Sequence, residues 1–135
     1  MVDVLTPQQR RLNMSRIRSA DTKPEMVVRR RLHALGYRYR LHVRDLPGSP
    51  DLVFPRRKRV VFVNGCFWHM HSCRFGQVKP ATNSEFWEQK RLATVARDAR
   101  NRADLVASGW GVMTVWECQL RDLGAVEDSL ARFLR

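Results

Sequence analysis

A chain of 135 residues has the length of one domain and can bury roughly two thirds of its unfolded surface. Its 25 Lys and Arg against 13 Asp and Glu give a formal charge of +12 and a pI near 11.1. In so small a domain this excess points to a nucleic-acid partner, through phosphate neutralisation, more than to a merely solvated basic face. The sequence contains no run of about 18 apolar residues and no charged-apolar-small leader, so a membrane span is excluded and a soluble, cytosolic protein is expected.

Residues 1–20 are polar and basic, with Thr6-Pro7 a plausible helix start. Met14 and Ile17, three apart, share a face of that helix. The stripe is too thin for a core helix and suits an arm that orders on DNA, leaving 21–135 as a single domain. Thr22-Lys23-Pro24-Glu25 is a capping box, and Gly36 is a natural stop for the helix it opens. Val28, Leu32 and Leu35 mark that helix's buried face. Tyr37, Tyr39 and Leu41 alternate with Arg38, Arg40 and His42 as a half-exposed strand, and Leu46-Pro47-Gly48-Ser49-Pro50 turns into a short strand begun by Asp51. Pro55-Arg56-Arg57-Lys58 links this to strand 59–64. A long helix over 84–107, a strand over 110–116 and a final amphipathic helix over 124–134 complete the chain. This order predicts an α/β fold, a mixed sheet flanked by helices.

Cys66-Phe67-Trp68-His69-Met70-His71-Ser72-Cys73 holds two of the three cysteines and two of the four histidines, directly after the apolar run 60–63. Cys118 also follows a strand-like segment. In a reducing compartment three cysteines read as metal ligands or free thiols, not as a disulfide framework. With one histidine, Cys66, Cys73 and Cys118 make the donor inventory of a closed structural zinc site, although the spacing matches no standard finger. Three buried free cysteines are the alternative. His69 and His71 compete for the fourth position, since both lie on the same side of an extended segment.

Asp51 is the best catalytic carboxylate. With a backbone carbonyl from the neighbouring strand, which ends at Val63-Asn64, it could hold Mg²⁺ with several waters left on the ion. Glu25 could accept from such waters or serve only as a capping glutamate. If His71 takes the zinc, His69 is the acid–base candidate. Phe67 and Trp68, consecutive in a short polar loop, cannot both be buried easily. With Trp87 they are candidate apolar wedges between base steps, where insertion costs least at a mismatched pair.

The run from Phe62 to Cys73, Phe-Val-Asn-Gly-Cys-Phe-Trp-His-Met-His-Ser-Cys, closely resembles the very-short-patch repair (Vsr) mismatch endonucleases. So do the segments 13–17, 21–25, 46–51, 85–87 and 115–118, and the resemblance covers nearly the whole chain. It implies a restriction-endonuclease-like fold that nicks DNA 5′ of a thymine mispaired with guanine, after deamination of 5-methylcytosine. It also implies Mg²⁺ on Asp51 and the Val63 carbonyl, His69 as general base or its partner, and zinc on Cys66, His71, Cys73 and Cys118. Phe67, Trp68 and Trp87 would then wedge beside the mismatch, with Met14 and Ile17 in the opposite groove and Lys90 near the mispaired bases. A monomer acting on nucleoid DNA, with a MutL-type accessory protein, is the expected setting. Family members can carry histidine where this chain has Asn64, which cannot accept a proton near neutral pH. A two-histidine mechanism is thereby placed in doubt, and a DNA-binding protein without catalysis, or a nicking nuclease for another lesion, are the alternatives.

Overall fold

The computed structural model describes residues 20–135, so the expected arm, with Met14 and Ile17, lies outside the described residues. Helix α1 spans Lys23–Ala34, with Thr22 Oγ1 accepting from the Glu25 N–H at 3.4 Å. The sequence pattern is half right about its buried face. Val28 and Leu32 are buried, whereas Leu35 is the C-cap and 51% exposed, because one residue past the helix the chain has left the core-facing stripe.

Strand β1 is only Arg40–Leu41, shorter than the alternation over 37–41 predicts. Tyr37 and Tyr39 instead set their rings edge-on to Phe54, at 6.4 and 5.9 Å, and His42, at φ +48°, ends the extended run. β2 (Leu52–Phe54) pairs antiparallel with β1 and with β3 (Arg59–Asn64), across a 3-10 turn at Pro55–Arg57. Helix α2, Ser84–Ala107, has the predicted span and stops before Gly109, which takes φ +91°. β4 (Gly111–Trp116) returns parallel to β3, and a second 3-10 turn, Glu117–Arg121, leads to α3, Leu123–Phe133.

The four-stranded sheet has the order β1-β2-β3-β4. Strand side chains alternate between faces. Leu52, Phe54, Val61, Val63 and Val115 meet Val28 and Leu32 of α1 and Val126 and Leu130 of α3 on one face. Val53 and Val60 meet Leu105 of α2 on the other. Burying both faces is why β2 and β3 read as continuous apolar runs. The parallel register aligns Asn64 with Trp116, so the loops leaving β3 and β4 start side by side. Among the described residues no helix is long and apolar enough to cross a membrane.

Candidate active site and metal centre

Cys66 and Cys118 each lie two residues beyond that aligned pair, and the Cys118 N–H donates to Cys66 Sγ at 3.4 Å. Parallel pairing thus closes a large gap in sequence. Cys73 and His71 complete the group: one donor atom from each of Cys66, His71, Cys73 and Cys118 lies within 4.8 Å of the others. Such a cluster could bind a metal ion.

The choice between the two histidines turns on the loop, which is not extended. It coils through bonds from the His69 N–H to Gly65 O, the Met70 N–H to Phe67 O and the His71 N–H to Cys66 O, with Met70 at φ +48°. This winding separates the imidazoles. His71 turns to the cysteines, with Nδ1 3.6 Å from Cys118 Sγ and its ring stacked on Trp116 at 4.2 Å. His69 turns to α2, where Nδ1 lies 2.5 Å from Asp98 Oδ2. Gly76 is required by packing, since a Cβ there would lie 1.9 Å from the His71 carbonyl oxygen.

The donor chemistry suits a soft divalent ion. Burial, with the neighbouring thiols, pushes Cys66 up to about 12. For Cys73 a desolvation penalty is outweighed by the Gly76 N–H, His71, Cys66 and the Phe75 N–H, which draw it down to about 6.

The second centre is a cleft of about 1080 Å³ at the carboxyl ends of β3 and β4, lined by Asp51, Val63, Asn64, His69 and Asp98. Open α/β sheets commonly place their sites at such strand ends. Asp51 Oδ2 accepts from the Val63 N–H at 2.7 Å. In an extended strand a residue's N–H and C=O point to the same edge, so the Val63 carbonyl faces Asp51 as well. Burial, and then the Glu25 carboxylate beside it, push the Asp51 acid up to about 7 against the pull of the Val63 N–H. Two crowded carboxyl groups and the Val63 carbonyl are a donor set that suits a hard divalent cation.

Glu25 does not close a capping box. It is fully buried, and its oxygens accept from the Asp21 N–H at 3.2 Å, Arg29 at 2.9 Å and His42 Nε2 at 2.9 Å. The His42 N–H in turn donates to Asp51 O at 3.2 Å, so one residue links both carboxylate-bearing segments. Asn64 is half-buried on the cleft wall.

Phe67, Trp68, Trp87 and Phe86 form a chain of edge-to-face rings, with centroids 5.0, 5.6 and 5.2 Å apart. Trp87 is its buried base, 5% exposed. Phe67 and Trp68 are half-buried, and Trp68 lines the cleft. Lys90 is exposed on α2, with its ammonium over the Phe86 ring at 5.1 Å.

Sequence reasoning missed His42, Asp98, Arg91 and Trp116. One signal was available. The inward stripe of α2 is Trp87, Arg91, Thr94, Asp98, Asn101 and Leu105, every other residue of the helix being exposed, and its middle is polar where a core helix would be apolar.

The family described as DNA mismatch endonuclease Vsr matches this chain over residues 2–75. The type II nicking enzyme V.XorIIP of Xanthomonas oryzae pv. oryzae is 52% identical over 134 residues, covering 99% of this chain and 98% of that protein. The type II nicking enzyme V.NmeAIP of Neisseria meningitidis serogroup A is 39% identical over 135 residues, covering 100% and 96%. The DNA mismatch endonuclease Vsr of Escherichia coli K12 is 41% identical over 121 residues, covering 90% and 77%. The metal-ready cysteine cluster, the carboxylate cleft and the aromatic chain therefore belong to a nicking endonuclease of DNA, and the chain is a member of the Vsr mismatch endonuclease family.

Proposed function

We propose that this protein nicks DNA on the 5′ side of the thymine in a T:G mismatch, the lesion left by deamination of 5-methylcytosine, and so opens a very short repair tract. The observation that supports this reading is one cleft in which Asp51, Val63 and the His69–Asp98 pair converge beside an aromatic step. In this reading the fold is restriction-endonuclease-like, residues 1–20 form a DNA-contacting arm carrying Met14 and Ile17, and 21–135 form the nuclease domain. The enzyme acts as a monomer on cytoplasmic, nucleoid DNA, with a MutL-type accessory partner.

Asp51 and the Val63 carbonyl would hold Mg²⁺, which when bound would supply Lewis-acid activation of the scissile phosphate and of a water. His69 moves protons. Because Asp98 accepts from Nδ1–H, Nε2 is left with its lone pair, able to take a proton from the attacking water or return one to the leaving oxygen. Glu25, held by Arg29 and His42, orders water beside Asp51, and Asn64 holds water or a phosphate oxygen without accepting its proton. Phe67 and Trp68 insert beside the mismatch, Trp87 backs them, and Lys90 lies near the mispaired bases. Cys66, His71, Cys73 and Cys118 would hold Zn²⁺, which would supply a closed structural cross-link.

The test is a nicking assay on an end-labelled duplex containing one T:G pair, beside T:A and C:G controls, with Mg²⁺ or with EDTA. A single nick 5′ of the mispaired thymine, only with Mg²⁺, is expected. Binding without scission in every flanking context would assign the chain to an inactive, zinc-stabilised DNA-binding protein. Cleavage at a different lesion would make it a related nicking nuclease.

The imidazole pair makes a separate prediction. Asp98→Asn keeps the shape of the side chain but replaces an acceptor-only carboxylate with an amide that can also donate, so the His69 tautomer is no longer fixed. Single-turnover nicking should fall by about 10²–10⁴-fold while duplex affinity stays unchanged. A loss of affinity with an intact rate would contradict this role.

A further inference from the structure

Arg91, on α2, is 3% exposed, and among the described residues it forms no ion pair with a carboxylate. Its charge is instead spread over three backbone carbonyls. Nε donates to Phe67 O at 2.7 Å, one terminal nitrogen donates to Val78 O at 2.9 Å, and the other donates to Gly76 O. The guanidinium plane also lies over the Phe67 ring, 4.2 Å from its centroid.

Two properties of this arrangement exceed what a buried polar anchor needs. First, Phe67 precedes His71 and Cys73, and Gly76 and Val78 follow them, so one rigid fork holds both limbs of the loop against α2. The cluster itself ties that loop to the other side, at the ends of β3 and β4 through Cys66 and Cys118. Second, the side chain touched face-on is the first ring of the aromatic chain, and Trp87, which backs Trp68, lies one helical turn from Arg91 on the same stripe. A five-donor planar group can hold three carbonyls and stack on a ring at once, whereas a lysine ammonium is a point charge that cannot.

The geometry points to Arg91 as a positioning residue for mismatch recognition: it sets the angle at which Phe67 and Trp68 leave the loop, and so governs discrimination between mismatched and paired DNA. This rests on the reading that the two aromatics wedge into the duplex. An insertion that must find an unstacked step is sensitive to small changes in ring orientation, while contacts to phosphates are shared by all duplexes.

The experiment compares the parent with Phe67→Ala, Arg91→Lys and Arg91→Met. Bound metal per chain and melting temperature are measured first. Dissociation constants for T:G and T:A duplexes are then measured with Ca²⁺ in place of Mg²⁺, followed by the nicking rate at saturating T:G duplex. The Arg91→Lys protein should keep its metal and its T:A affinity, lose about tenfold in T:G affinity, and nick bound duplex within about threefold of the parent. Arg91→Met should lose the preference further.

If both Arg91 variants keep the parent's T:G over T:A ratio while Phe67→Ala loses it, the inference is overturned and Arg91 serves stability alone. Unfolding or metal loss in both Arg91 variants would overturn it in the same way. An unchanged ratio in Phe67→Ala itself would instead refute the wedge on which the inference rests.

Discussion

Asp51→Asn should abolish nicking and, at the same time, make the magnesium-free protein more stable above pH 7. The loss of activity should be about a thousandfold or more, since in the proposed mechanism Asp51 would hold a metal whose charge stabilisation of the transition state is worth several kcal/mol. The gain in stability follows from the site's own electrostatics. Burial and then Glu25 raise the folded-state acid of Asp51 from 3.8 to about 7. The folded state therefore holds a proton that the unfolded chain releases near its ordinary pKa. Stability from this group is full below about pH 4, declines as pH rises, and is lost once pH passes about 7. Asparagine has nothing to ionise. Its advantage over aspartate should be near zero at pH 4 and reach about 1–3 kcal/mol at pH 8. Thermal melts of both proteins at the two pH values give this difference directly. Adding Mg²⁺ at pH 8 should raise the parent's melting temperature and leave that of Asp51→Asn unchanged. Equal pH dependence in the two proteins would remove Asp51 as the strained group of the cleft.

If the Cys/His cluster holds the proposed zinc, Cys118→Ser should release it and lower stability, not merely slow the reaction. The parent is expected to carry about one zinc per chain, because four ligands saturate the ion. One ligand's share of a site worth roughly 10–16 kcal/mol is about 3 kcal/mol, a large part of the 5–15 kcal/mol that holds a domain folded. The consequences should spread along the loop, since Cys118 joins it to the end of β4 and the same loop carries Phe67, Trp68 and His69. Metal analysis and a melt of the variant test this together. A parent with no zinc and three titratable thiols would return the cysteines to ordinary free thiols.

The sequence by itself determined the elements whose causes are local. The span of α2, Ser84–Ala107, the limits of β3 and the position of α3 to within one residue follow from periodicity, acidic first-turn residues and glycine stops, all acting within a few positions. The grouping of the three cysteines with a nearby histidine was legible as well, because such residues are chemically unusual wherever they fold.

Only the tertiary structure decided which histidine joins that cluster. The coiling of the loop around Met70, closed by bonds spanning three to five residues, sends His71 to the cysteines and His69 to α2. Asp98 and His42 could not be found locally, since each meets its partner across a long gap in sequence. Glu25 satisfied a helix-start pattern and yet became a buried hub, because the chain leaving β1 delivers His42 to it. The shortening of β1 has the same origin: Tyr37 and Tyr39 have strand propensity, but Phe54 offers their rings a better contact than an edge ladder does. Local patterns set where backbone bonds can form. The parallel register of β3 with β4, which depends on packing both faces of the sheet, sets which distant side chains share a cleft.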